Sequence, residues 1–131
     1  MTPSAAELER IPLFGSLSES DLDDLAPSFE SRSVTPGTCL VGEGAAGYSF
    51  FALIEGEASV TVDGDEVATL GSGDCFGEIA ILDGGFRTAT VTATTPARVY
   101  VMFGTEFRRL QQTQPEIATQ LEELMRSRLG S

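Results

Sequence analysis

The side chains with the most chemical content fall in one short run, FGEIAILDGGFRTATV, from Phe76 to Val91. Gly77 would let the backbone approach a bound group closely, and EIAIL is long enough for little more than one helical turn. The first N–H groups of such a turn are unpaired, point outward and carry partial positive charge, which suits an anion. DGG then reverses the chain, and Arg87 opens the next strand, where its planar fork can grip two oxygens of one phosphate. Backbone N–H groups of Ile79, Ala80 and Ala89 would supply the remaining donors. Glu78 repels a phosphate, so the ligand must offer it something in return. An ionised carboxylate only accepts hydrogen bonds, and vicinal sugar hydroxyls meet that need. Glycine, glutamate and arginine in this order therefore suit a ligand with both a phosphate and a ribose hydroxyl. The plainer reading makes Arg87 a strand arginine paired with Glu78, and Glu78 a carboxylate stabilising a helix start. For Glu78 the two readings are compatible.

The rest of the chain sharpens the contrast. Net charge is -12, from 8 basic and 20 acidic residues, and there is no lysine. Between Ser33 and Ala97 Arg87 is the only basic side chain, against nine acidic ones. Such a balance speaks against nucleic acid or an anionic membrane surface as a partner, since both need clustered Lys or Arg. A small anion can still bind, because screening confines distant acids to a reach of about 8 Å. The absence of histidine removes Ser-His-Asp and Cys-His nucleophilic systems and most catalytic zinc or non-haem iron sites. The acids are scattered and form no acid/base pair, so no catalytic residues, metal ligands or cofactor are expected. Cys39 and Cys75 are too few for a disulfide framework and read as buried reduced thiols. No signal-peptide pattern or membrane-length apolar run is present, so the expected location is cytoplasmic.

These residues need a scaffold, and 131 residues suit a single domain, 1–131. Residues 1–30 read as helical: SAAELERI has a Ser4 cap, and LSESDLDDLAPSF pairs Ser18 with Asp21 in a capping-box pattern. Residues 31–103 read as β, through TCLV, SFFALI, ASVTV, EVATL, TATVTA and RVYVM, with Asp63-Gly64 as a hairpin turn. Short strands at this spacing make a small sandwich or barrel. Residues 104–129 return to helix, a short one over 105–112 and a second begun by Pro115. Ile117, Leu121, Leu124, Met125 and Leu129 form an apolar stripe that would pack on the barrel or on a second copy, which leaves a homodimer open. For the glycines at 37, 44, 56 and 73, turn-making is a sufficient account.

FGEIAILDGGFRTATV resembles the phosphate-binding cassette of cyclic nucleotide-binding domains, the family shared by catabolite activator proteins, protein kinase A regulatory subunits and cyclic nucleotide-gated channels. The likeness continues through PGTCLVGEGAAGYSFFALIEGEASVTV, VATLGSGDCFGE and ARVYVMFGTEFRRLQQTQPEIA, and covers Leu13 to Leu129. It implies a mainly β fold with flanking helices: a small antiparallel β-barrel of jelly-roll type with N-terminal helices, a short cassette helix and two C-terminal helices. Carried over residue by residue, Glu78 would hold the ribose 2'-hydroxyl and Arg87 the cyclic phosphate. Gly77, Ile79 and Ala80 would wrap the sugar-phosphate, and Thr88 and Ala89 would lie beside phosphate and purine. The base would rest against Val62, Val67 and Phe76, under a C-terminal lid drawn from Leu121, Leu124, Met125 and Arg128.

Two departures bear on the ligand. Phe86 stands where relatives often have proline, and Thr88 where alanine is common; the hydroxyl is compatible with cAMP or cGMP, with cAMP favoured. No helix-turn-helix, kinase, nuclease or channel segment is read downstream, so the output is expected through an unknown effector protein. The expectation is a non-enzymatic cyclic nucleotide sensor without direct membrane contact. Two alternatives are a scaffold that has lost its ligand, which intact Glu78 and Arg87 oppose, and a cupin-like enzyme, which the missing histidines oppose.

Overall fold

Capping starts both N-terminal helices. The Ser4 side chain accepts from the Glu7 backbone N–H and the Glu7 side chain reaches back to Ser4, a reciprocal box that opens α1 (Ala5–Glu9). Ser18 accepts from the Asp21 N–H at the start of α2 (Glu19–Leu25). Helices this short do not persist alone in water. They hold because Leu8, Ile11, Phe14, Leu22 and Leu25, carried on them and on the 3₁₀ turn Pro12–Phe14, are buried. The computed structural model describes residues 3–41, 46–47, 49–76, 85–86 and 89–129.

Ten strands follow: β1 (Glu30–Val34), β2 (Cys39–Val41), β3 (Ala46–Gly47), β4 (Ser49–Glu55), β5 (Ala58–Val62), β6 (Asp65–Leu70), β7 (Cys75–Phe76), β8 (Gly85–Phe86), β9 (Thr90–Ala93) and β10 (Ala97–Phe103). They make one sheet of order β1-β10-β4-β7, a second of order β2-β9-β5-β6 and a two-stranded β3-β8 ladder, antiparallel throughout. Among the described residues the pairing gives two facing four-stranded sheets without closing into a ring, which is the form the expected jelly roll takes. Asp63 and Gly64, with φ of 52° and 84°, make the two-residue turn between β5 and β6. Left-handed φ at both positions matches the twist of a tight hairpin.

The alternation of β4 and β10 divides the interior into two layers. Phe51, Leu53, Val99 and Val101 point toward the second sheet and meet Ala58, Val91 and Ala93. Phe50, Ala52, Tyr100 and Met102 point the other way, onto the helices. There Phe14, Phe29 and Phe50 pack edge to face, with centroids 5.8 to 6.4 Å apart. The chain ends in α3 (Gly104–Thr113) and α4 (Pro115–Leu129), the second begun by Pro115 as expected. Ile117, Leu121 and Met125 of α4 are buried in the helix-side layer. These three residues of the C-terminal stripe thus pack against this chain's own N-terminal helices and first sheet.

The structure departs from the sequence reading at two points. β1 has the polar sequence ESRSV and no apolar alternation, yet it pairs residue for residue with β10 from Glu30↔Val101 to Val34↔Ala97. Of the two cysteines Cys75 is buried, but Cys39, on the three-residue strand at the margin of the second sheet, is exposed. The expected cassette helix lies outside the described residues.

Candidate functional site

The strands on either side of the cassette belong to different sheets. Upstream, β7 pairs with β4 through Phe51↔Phe76 and Ala52↔Cys75. Downstream, β9 pairs with β5 through Thr90↔Thr61 and Val91↔Val60. The run that carries Gly77, Glu78, Ile79, Ala80, Arg87 and Thr88 therefore leaves the first sheet and returns in the second, with β8 held part-way by its ladder to β3. Those six residues lie outside the described set. Their anchors are within it, and the register sets the Ala89 end of β9 beside the Val62 end of β5.

Phe76 is 8% exposed and stacks on Phe51 at 4.9 Å with an interplanar angle of 7°. This stack fixes the strand end from which the cassette departs. Val62 is half-buried and Ala89 likewise. Val67 behaves differently: it sits at a register shift between β5 and β6 and is 60% exposed, an apolar side chain left in water. The expected base wall of Val62, Val67 and Phe76 is thus one buried ring stacked on its cross-strand neighbour, one half-buried strand end and one exposed valine.

The expected lid residues sit elsewhere. Leu121 and Met125 are fully buried among the helices, and Leu124 lines a groove with Ser16 and Leu17. All three lie on the helix side of the first sheet, across it from the layer that holds Phe76. Arg128 falls in the last turn of α4, and its side chain lies outside the described residues.

A polar cluster that carried no signal in the sequence joins α1 to the first sheet. The Tyr100 hydroxyl donates to Glu7 Oε2. Arg98 Nη1 is 3.8 Å from the same carboxylate, and its Nη2 is 3.4 Å from Glu55 Oε1. The Tyr100 bond, followed by the bonds from Ser4, draws the Glu7 carboxyl below its ordinary range. Burial, and then the Glu7 bond, pushes the Tyr100 phenol up to about 12. No group of three or more His, Cys, Asp or Glu among the described residues could hold a metal ion. No helix among them is long and apolar enough to cross a membrane.

Residues 31–114 match the family described as Cyclic nucleotide-binding domain, across both anchoring strands and everything between them. The chain belongs to this family. Among its relatives is a cAMP-dependent protein kinase regulatory subunit of Yarrowia lipolytica, 41% identical over 105 residues, which are 79% of this chain and 28% of the relative. A cyclic nucleotide-gated potassium channel of Rhizobium etli is 31% identical over 120 residues, 92% of this chain and 34% of the channel. The chain thus spans about a third or less of these relatives. In three dimensions it is similar to the N-terminal domain of a transcriptional regulator from Streptomyces coelicolor A3(2), with TM-score 0.80, 29% identity and coverage of 94% of this chain and 90% of the other. A kinase regulator, a channel and a transcriptional regulator share this cyclic nucleotide-binding fold, so the fold alone does not specify an output.

Proposed function

We propose that this cyclic nucleotide-binding domain is a ligand-operated sensor, non-enzymatic, that takes cAMP in preference to cGMP. The observation that carries the reading is the family match running unbroken across a cassette with both Glu78 and Arg87 in place. Arg87 and the cassette N–H groups would neutralise the cyclic phosphate, Glu78 and Gly77 would hold the sugar, and Thr88, Ala89, Val62, Val67 and Phe76 would receive the purine. The preference for cAMP draws support from the Yarrowia lipolytica relative, whose name states cAMP dependence.

The working transition is a redistribution of the C-terminal helices. With α4 docked on the N-terminal helices, Leu124 reaches the base only if that docking gives way, and Arg128 is carried on the same helix. Ligand can drive the change only by as much as it binds the closed arrangement better than the open one. Residues 1–131 act as one domain in this reading, in the cytoplasm, and signal to an effector protein. A homodimer is compatible with the reading but is not required by it, since Ile117, Leu121 and Met125 of the α4 stripe are already covered. Calorimetric titration with cAMP and with cGMP tests the function: saturable heat with cAMP, weaker with cGMP, is expected. No heat with either ligand would instead favour a scaffold that keeps the fold and works through protein contacts.

A further inference from the structure

A second cationic feature lies away from the cassette. Arg10, which caps the C-terminus of α1, and Arg98, on β10, line a cleft of about 130 Å³ together with Glu55, Ser72 and Gly73. That is room enough for one phosphate or carboxylate group. The cleft closes where the Gly73 turn meets the 3₁₀ turn: Gly73 has φ +94°, and a Cβ there would come 3.3 Å from Pro12 Cδ.

One of its two guanidinium groups is poorly satisfied, while Arg10 is exposed to water. Arg98 Nε is buried without a hydrogen-bond partner. The other Arg98 contacts are long, 3.4 Å to Glu55 and 3.8 Å to Glu7, whereas a strong N–H···carboxylate bond spans about 2.7 to 2.9 Å. The Glu7 carboxylate is shared with the Tyr100 hydroxyl and Ser4, and the Glu55 side chain is 70% exposed. Arg10 makes no ion pair with any described residue. Two arginines lining one small cleft, neither in a close ion pair with a described acid, is unexpected in a chain of net charge -12 that offers so many acids as partners. Planar donor forks of this kind match the geometry of an oxyanion.

We propose that the Arg10–Arg98 cleft is a second ligand site, separate from the cyclic nucleotide site, that takes a single phosphate or carboxylate group. The incoming oxyanion bridges the two guanidinium groups and displaces the exposed Glu55 carboxylate from Arg98, while Glu7 stays on Tyr100. A free small anion and an acidic side chain of another protein present the same chemistry to the cleft.

The test is an amide NMR titration of the whole chain, at constant ionic strength set with sodium chloride and with excess cAMP present. The probes are inorganic phosphate, acetate and a short glutamate-rich peptide. Saturable shifts at Ser72 and Gly73 are expected with at least one probe, and Arg10→Gln should weaken that probe by roughly tenfold, the size expected for losing one charge-assisted bond. Arg10→Lys should recover part of the affinity. Tighter binding of phosphate or acetate assigns the site to a free anion, and tighter binding of the peptide to an acidic partner segment. Shifts no larger than those from chloride, or shifts unchanged in a folded Arg10→Gln, would overturn the proposal. The readout is at Ser72 and Gly73, so failure to bind cAMP would sink the sensor reading and leave this test intact.

Discussion

The hydroxyl of Tyr100 donates to the carboxylate of Glu7, a bond between residues 93 positions apart. It ties the first helix to one of the two inner strands of the first sheet, and the two shifted groups give it a pH window. Glu7 titrates below its ordinary value in the folded state, so its contribution is present above the usual carboxylate range and is lost as pH falls through the depressed pKa. Tyr100 is raised from 10.0 to about 12, so its contribution is full below pH 10 and disappears as pH climbs toward 12. Thermal melts should show stability declining at both ends. Tyr100→Phe should lower stability near neutral pH by about 1 kcal/mol, a modest figure because the Glu7 carboxylate remains in reach of water, and should flatten the alkaline decline. An alkaline limb identical in wild type and Tyr100→Phe would remove Tyr100 as its source.

Gly56 should tolerate substitution far less well than Gly64. Both have positive φ, +95° and +84°, but a Cβ at Gly56 would lie 2.5 Å from the Pro96 carbonyl oxygen and 2.8 Å from Ala97 Cβ, while one at Gly64 meets nothing within 4 Å. The left-handed backbone alone costs about 1 to 3 kcal/mol for a residue with a side chain. Gly64→Ala should show that cost, and Gly56→Ala should exceed it because backbone must also move. Denaturant unfolding of the two variants measures the gap.

Phe50 and Val67 mark opposite ends of the apolar inventory. Phe50 is fully buried in the three-ring cluster with Phe14 and Phe29, so Phe50→Ala should cost about 3 to 5 kcal/mol. Val67 is 60% exposed, so Val67→Ser should change stability by no more than about 0.5 kcal/mol. Val67→Ser should nevertheless weaken cAMP in calorimetry, since the purine is proposed to cover this side chain. Unchanged affinity would remove Val67 from the base wall.

The cassette residues are tested by binding. Arg87→Ala should cost about 2 to 5 kcal/mol of cAMP affinity if the guanidinium is desolvated against the phosphate. A 2'-deoxy cyclic nucleotide should bind more weakly than its parent to wild type and show little further loss on Glu78→Gln. Equal heats for wild type and Arg87→Ala would take Arg87 out of the site, and full affinity for the deoxy ligand would do the same for Glu78.

What could be read from the sequence was whatever nearest neighbours along the chain decide. Ser4 and Ser18 cap helices because a hydroxyl reaches an N–H three residues on; Asp63-Gly64 turns because these residues accept left-handed φ; Pro115 starts a helix because it lacks only a donor that the first turn leaves unused. The cassette pattern is equally local, which is why Gly77, Glu78 and Arg87 could be singled out before any coordinate was known. Tertiary structure decided which sheet each strand joins, that polar ESRSV becomes a strand once β10 offers it a ladder, and that Cys39 faces water while Cys75 does not. It also placed α4 on this chain's own helices and brought Arg10, Arg98, Glu7 and Tyr100 together. Those outcomes depend on contacts between distant segments, formed only after long loops close, and neither residue of such a pair bears a local mark of the other.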